Sequence, residues 1–392
     1  MKILWASPLP PVRSGVSDYA AELLPELAAR ARVRVLAPPA WRPSEDWTLT
    51  DAVEIVPHDA IAEPDEIPLI HLGNNPHHLW LVDRLDDPRA VAVLHDLVLH
   101  HLLVEAAAFS NDPDALARGL SEVHGAAGDA VARARSLGLT HARDPFLMPA
   151  WSPFVKKLRA VVVHSRWAED AVRRQRPDLA VARVGLAVAD PGTVDRKNER
   201  ALLGLEADEV VLMHLGFLTP EKGLRDVLGG LAAAVRAGVA ARLVLVGEGV
   251  GMDAIVAAGE VLGIADRLTA TGYLSRERFP TAPAVADLGV VLRTPSAGET
   301  SAAAVRFLAC GTPVAVGGVH QFLEWPEAAA PRVTPGAPAP AELARLLAEA
   351  AVGGSGWSAR RRAARTTYEA AHRPSDVAEQ LIDELAKMCN EL

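Results

Sequence analysis

Three short stretches of this 392-residue chain combine residue types that bind anions or hold protons. The first is Gly298-Glu299-Thr300-Ser301, between an apolar run that ends at Arg293 and an Ala-rich segment that starts at Ala302. Small and capping residues there leave the N-terminus of a helix open. Its unpaired N–H groups and partial positive charge make such a terminus a ready site for phosphate. An ordinary strand-to-helix turn carries the same residue types. The second stretch is HLGFLTPEKGL, residues 214–224. There Thr219 is placed to cap a helix, Pro220 to open it and Glu221 to sit in its first turn. Lys222 in that turn opposes the helix dipole by roughly a few tenths of a kcal/mol, which points to an anion beside it. Only six of the 40 basic residues are lysine, so lysine is not the default cation of this chain.

The third is a pair of histidine-rich strand ends. Ile67 to Leu72 runs into Gly73-Asn74-Asn75-Pro76-His77-His78, and Ala90 to Leu94 runs into His95-Asp96, with His100 and His101 beyond. Adjacent histidines diverge on a helix, and no H-x-x-x-H pair with a nearby carboxylate appears, so a metal site is not expected. Both clusters lie at carboxyl ends of expected strands, where doubly wound sheets bind ligands. The competing reading of His95 is a surface histidine capping the next helix.

The elements that must position these residues alternate regularly. Lys2 to Ser7 reads as a strand and PLPPVRSGVSD as a loop carrying Gly15. Ser14 or Ser17 is placed to cap a helix over 18–31 with an apolar face at Leu23, Leu24 and Leu27, and a strand follows at 33–37. No G-x-G-x-x-G is present, so a dinucleotide fingerprint is absent. Residues 105–150 read as helical, 160–164 as a buried strand, and Ser165 as the cap of the helix after it. Later strands are expected at 210–216, 241–247, 268–272, 288–293, 313–317 and 331–333. Val246-Gly247-Glu248-Gly249 forms a short glycine loop, and Gly311 ends the Ala-rich helix with a residue suited to a left-handed cap. Continuous apolar strands between helices imply parallel sheets with both faces covered. The fold class is therefore α/β, with doubly wound parallel-sheet (Rossmann-like) domains at 1–188 and 208–365. A Pro/Gly/Asp-rich linker spans 189–207, and the tail is charged and helical.

Half the residues are apolar, so large cores are expected and global disorder is not. A net charge of −9 argues against a nucleic-acid partner. Cys310 and Cys389 offer neither a disulfide framework nor a metal cluster. Met1-Lys2 runs straight into a strand and no apolar run reaches spanning length, so a soluble cytoplasmic protein is expected. Within DPFLMPAWSPFVKKLR, 144–159, apolar aromatics stand beside Lys156, Lys157 and Arg159. That pattern suits docking on an anionic membrane, or a lid or packing segment.

SAGETSAAAVRFLACGTPVAV resembles the donor-binding segment of the retaining glycosyltransferases of family 4, which have the two-domain GT-B fold. Ala309-Cys310-Gly311-Thr312-Pro313 matches closely. In that family one glutamate opens the segment and a second follows it. Here the pair falls on Gly298 and Arg306, or on Glu299 and Phe307, so Glu299 stands in for the first and the second is absent. HLGFLTPEKGL resembles the family's G-R-x-x-x-x-K-G: Gly216, Lys222 and Gly223 match, while Phe217 takes the arginine's place and Arg293 is the candidate replacement. VHSRW, around His164, resembles the family's late N-domain strand and turn. The resemblance implies two domains facing a central cleft, with residues 366–392 crossing back to the first domain. It implies transfer of a sugar from a UDP- or GDP-sugar to a small-molecule or glycan acceptor, with retention and with no metal or other cofactor required. His95 and Glu299 would be catalytic. Gly15, Gly216, Lys222, Glu248, Arg293, Gly298, Thr300 and Ser301 would bind the donor, and Asn74, Asn75 and His78 would lie on the acceptor side. Arg306 reads as a solvated helix residue. Another GT-B enzyme (an inverting transferase or a nucleotide-sugar epimerase) or a non-catalytic binding partner are the alternatives, and the oligomeric state stays open.

Overall fold

A computed structural model describes residues 1–43, 47 and 52–391. The strands are Lys2–Ala6 (β1), Arg32–Leu36 (β2), Val53–Val56 (β3), Glu66–Leu72 (β4), Val91–Leu94 (β5), Ala160–Val163 (β6), Ala180–Arg183 (β7), Val210–Leu215 (β8), Ala241–Val246 (β9), Leu268–Gly272 (β10), Leu288–Val291 (β11), Val314–Gly317 (β12) and Arg332–Val333 (β13). The helices are Gly15–Ala28 (α1), His100–Phe109 (α2), Ala115–Ser136 (α3), Asp144–Leu147 (α4), Arg166–Gln175 (α5), Arg196–Leu202 (α6), Leu224–Arg236 (α7), Met252–Leu262 (α8), Ala302–Ala309 (α9), Ala339–Val352 (α10), Gly354–Glu369 (α11) and Pro374–Glu391 (α12). The chain divides into two compact units. One holds Met1–Ala187, Ala297–Thr300 and Pro374–Leu392, and the other Val188–Ser296 and Ser301–Arg373. Leu392, the last residue of the expected crossing segment, lies outside the described residues.

The first unit is built on a parallel sheet in the order β3-β2-β1-β4-β5-β6-β7. Every residue of β5 and β6 is buried, because helices cover both faces. β4 sits opposite β5 with His71 beside Val93, and β5 sits opposite β6 with Val93 beside Val162. The carboxyl ends of these three neighbours therefore fall together. Ser14 caps α1 by accepting from the Ser17 amide, and Leu23, Leu24 and Leu27 are fully buried beneath the helix. α12 packs on α1, and Gln380 fastens it to β7 by donating to the Arg183 carbonyl and accepting from the Gly185 amide. β3 and β7 were not expected from sequence. Both are short edge strands of mixed polarity, formed because a neighbour offers an open row of backbone partners.

The second unit holds a parallel sheet in the order β10-β9-β8-β11-β12-β13. Its core joins β8, β9 and β11 to α7 and α10, and Gly230 of α7 lets Leu343 of α10 approach to within 2.6 Å of where a Cβ would stand. The polar stretch 189–207, expected as a linker, contains α6. Asp195 caps that helix, and its Arg196 and Arg200 both pair with Asp287 before β11. Its charged residues serve ion pairs rather than flexibility.

No helix among the described residues is long and apolar enough to cross a membrane. In 144–159, Trp151 and Phe154 are buried in the core of the first unit, Lys156 pairs with Glu122 and Lys157 with Asp86. Trp151 and Phe154 thus face inward and serve packing, whereas Phe146 is half-buried and Leu147 is exposed.

Candidate functional site

In both sheets the strand order reverses once, between β1 and β4 and between β8 and β11. Connections leave such neighbours in opposite directions, which opens a crevice at the strands' carboxyl ends.

In the second unit that end is assembled from three loops held by glycine. A Cβ on Gly247 would stand 2.2 Å from the Gly216 carbonyl oxygen, and one on Gly223 would stand 2.5 Å from the Leu292 carbonyl oxygen. Gly216 and Gly223 have φ of 112° and 68°, conformations open to glycine at little cost. Hydrogen bonds complete the fastening: the Leu218 amide donates to the Glu248 carbonyl at 3.0 Å, and the Thr294 amide to the Glu221 carbonyl at 3.0 Å. Lys222 and Arg293 thus sit on adjoining loops. Both charges act on His214 of β8, which is almost fully buried. Its imidazole pKa is pushed down to about 3, first by burial and then by the Lys222 charge, with Arg293 acting in the same direction. The Glu248 side chain is exposed at the rim. Two cations act on a neutral imidazole at this strand switch point, which makes the local potential positive.

Several expectations change here. Residues 220–222 form a tight turn of their own, Thr219 makes no side-chain cap, and α7 starts only at Leu224, after left-handed Gly223. Lys222 therefore lies ahead of the helix, and the expected opposition to its dipole does not arise. The Thr219 hydroxyl donates instead to the Glu221 carboxylate. At the N-terminus of α9 the Ser301 hydroxyl accepts from the Ala304 amide at 3.3 Å, which satisfies one of the amides there. Arg306 is not solvated. It is 3% exposed, with its guanidinium 5.0 Å from the centre of the Phe279 ring. Phe307 is fully buried against Gly289, where a Cβ would stand 2.5 Å from the Phe307 ring. Both positions offered for the second glutamate are thus occupied by packing residues.

In the first unit the carboxyl ends of β4, β5 and β6 bring three histidines together. His71 Nδ1 lies 3.0 Å from His95 Nε2, His95 Nδ1 lies 3.2 Å from His164 Nε2, and His164 Nδ1 lies 3.0 Å from the Val184 carbonyl oxygen. The Trp5 ring lies tilted against His71 at 3.9 Å between ring centres, and the Tyr19 ring meets His95 edge-on at 5.0 Å. Burial holds the pKa values of His71 and His95 well below the ordinary imidazole value, and a proton taken up by His164 would lower them further. His71 has no spacing signal in the sequence, since a single histidine inside an apolar strand looks like core. His164 was visible only within VHSRW.

Ala297–Thr300 belongs to the same unit. The Leu97 amide donates to the Ala297 carbonyl at 3.0 Å, and the Thr300 hydroxyl donates to the His164 carbonyl at 3.3 Å. Gly298, at φ 76°, lies so close to Trp167 that a Cβ would stand 2.2 Å from its ring. Glu299 is 6% exposed, and its Oε2 accepts from the Ala297 amide at 2.8 Å, closing the turn. Gly15 is the reverse case. Its φ is ordinary and a Cβ would meet nothing within 4 Å, so the fold does not demand glycine there.

The residues expected on the acceptor side have structural duties. Asn74 Oδ1 accepts from the His101 amide at 2.8 Å at the start of α2, and Asn75 Oδ1 accepts from the His77 amide at 3.0 Å. His78 is fully buried beneath Gly73, with Nδ1 2.9 Å from the His71 carbonyl oxygen. It has no surface to offer a ligand, and its assignment as an acceptor contact is corrected. Among the described residues no group of three or more His, Cys, Asp or Glu side chains is arranged to hold a metal ion.

No family model matches the chain. Over 145 residues it is 34% identical to the D-inositol 3-phosphate glycosyltransferase of Segniliparus rotundus, an alignment taking in 36% of this chain and 31% of that protein. Over 162 residues it is 31% identical to the 2-deoxystreptamine glucosyltransferase of Streptomyces kanamyceticus, covering 41% of each. The chain thus spans between 30% and 44% of the length of curated relatives such as these. Among solved structures, the sucrose-phosphate synthase of Thermosynechococcus elongatus superposes over 100% of both chains with a TM-score of 0.68 at 16% identity. Anabaena HepE in complex with UDP-glucose superposes over 100% of both chains with a TM-score of 0.61, also at 16% identity. At that identity the likeness establishes the fold, which is GT-B with two Rossmann-like units.

Proposed function

We propose that this chain is a retaining glycosyltransferase that moves a sugar from a UDP- or GDP-sugar to a hydroxyl of a small-molecule or glycan acceptor. The observation that carries this reading is the clasp of the Lys222 and Arg293 loops at the β8–β11 switch point, where both charges act on buried His214. The similarity to named glycosyltransferases over about two fifths of the chain supports it.

The leaving group of a nucleotide sugar is a diphosphate, so the principal catalytic task is to stabilise charge developing on its oxygens. Donors already held in place by the fold do this best, since nothing need reorganise during reaction. Lys222 and Arg293 supply two such cations, and the Gly216 and Gly223 loops let backbone come close. By the family resemblance, the acceptor attacks from the face the leaving group departs from, and a phosphate oxygen takes its proton. His95 then orients the sugar instead of acting as base, consistent with both its ring nitrogens being engaged. No metal is assigned a role, because the cations can do that work. Cys310 and exposed Cys389 are free thiols, which suits a reducing cytoplasm.

Melting curves with UDP, GDP and their sugars test the donor class, since a ligand that binds only the folded state raises the melting temperature. Proton NMR of the product formed with an acceptor panel then reads the anomeric configuration. Absence of any shift with every nucleoside diphosphate would sink the reading. A second reading, a binding protein that kept the fold, is favoured by Phe217 at the arginine position. Donor binding without transfer to any acceptor would support it.

A further inference from the structure

Three imidazoles in a row can be hydrogen-bonded in one direction only when one end is fixed, and here it is. The Val184 carbonyl can only accept, so His164 must carry its proton on Nδ1. Neutral His164 then has a bare Nε2, which must accept from His95 Nδ1–H. Neutral His95 in turn has a bare Nε2, which must accept from His71 Nδ1–H. The chain ends on His71 Nε2, a buried nitrogen with no hydrogen-bond partner among the described residues, as a bare acceptor at the end of such a row would be. His164 also reaches the 297–300 strip, because its backbone carbonyl accepts from the Thr300 hydroxyl.

We propose that His71 and His164 are positioning residues that hold His95 in one ring orientation and one tautomer, with Nδ1 protonated and both ring nitrogens occupied. Through its ring and its carbonyl, His164 sets His95 and Thr300 relative to each other. His95 therefore has neither a lone pair nor an N–H to exchange with substrate, and it meets a ligand only through its ring edge and backbone. The proposal builds on the glycosyltransferase reading where turnover is concerned, but the tautomer does not depend on it.

The tautomers can be read directly from two-bond proton–nitrogen spectra of the isotope-labelled, ligand-free chain at neutral pH, assigned with His71→Gln, His95→Gln and His164→Gln. A neutral histidine in water favours Nε2–H. The expected result is the opposite: all three as Nδ1–H. In His164→Leu, which removes the acceptor, His95 should revert toward Nε2–H. Turnover should fall about tenfold while KM and nucleoside diphosphate affinity stay within about twofold, whereas His164→Gln, which keeps an acceptor, should restore most of the rate. An Nε2–H or mixed His95 in the unaltered chain would overturn the proposal, as would equal turnover in the Leu and Gln variants. A chain with the expected tautomers but no transfer activity would count against the glycosyltransferase reading and leave the histidine lock standing.

Discussion

The Thr294 amide donates to the Glu221 carbonyl at 3.0 Å, so the residues next to each, Arg293 and Lys222, are carried on loops that cannot move independently. This contact joins the loop after β8 to the loop after β11, across the point where the second sheet changes direction.

If both cations contact one diphosphate, removing either leaves phosphate charge underpaired. Lys222→Ala and Arg293→Ala should each weaken nucleoside diphosphate binding by about 10- to 150-fold, with little effect on the nucleoside alone. The double variant should lose less than the sum, because both act on one group. Titration calorimetry with the diphosphate and the nucleoside checks this, and strict additivity would place the two cations on separate ligands.

Arg306→Ala should behave differently. Its guanidinium packs over Phe279, so the loss should appear as about 1 to 2 kcal/mol of stability, with nucleoside diphosphate affinity of the folded chain unchanged. A large loss of affinity at full stability would instead assign Arg306 to the diphosphate.

His95→Ala should cut turnover by at least about tenfold, roughly 1.4 kcal/mol in the barrier, and leave nucleoside diphosphate affinity nearly unchanged. Equal losses in both quantities would remove His95 from any role toward the sugar.

Folding stability should depend on pH through the buried histidines. His78 and His214 have folded pKa values pushed down to about 4 and about 3, chiefly by burial. Below their ordinary value of 6.5 the unfolded chain binds protons that the folded chain refuses. Their contribution is thus complete above about pH 6.5 and is lost as pH falls toward the folded values. At about pH 5 each should have cost roughly 2 kcal/mol, and His71 and His95 act in the same direction. Urea unfolding at about pH 7.5 and about pH 5 measures the difference, and His214→Leu should flatten it.

Gly298→Ala should destabilise the first unit by about 1 to 3 kcal/mol, because the residue is left-handed and a Cβ would overlap the Trp167 ring. Adding Trp167→Leu should recover part of the loss. No recovery in denaturant melts would mean that backbone strain alone sets the effect.

Local chemistry was legible in the sequence wherever one segment contains both partners. Apolar runs at β5, β6 and β11, the cap from Ser165 to Ala168 and the left-handed stop at Gly311 all arise within a few residues, so composition and spacing determined them. Alternating strands and helices likewise determined two parallel sheets, since parallel neighbours require helical crossovers. Tertiary structure decided what depends on distant partners. His71 and His95 are 24 residues apart, and His95 and His164 are 69 apart, yet strand pairing brings their rings within hydrogen-bonding distance. Lys222 falls outside α7 because Gly223 must turn left-handed to lie against the Leu292 carbonyl, a neighbour invisible in EKGL. Arg306 is buried because Phe279 arrives beneath it from another element. In each case the deciding energy is a contact between surfaces, and a surface exists only once the chain has closed on itself.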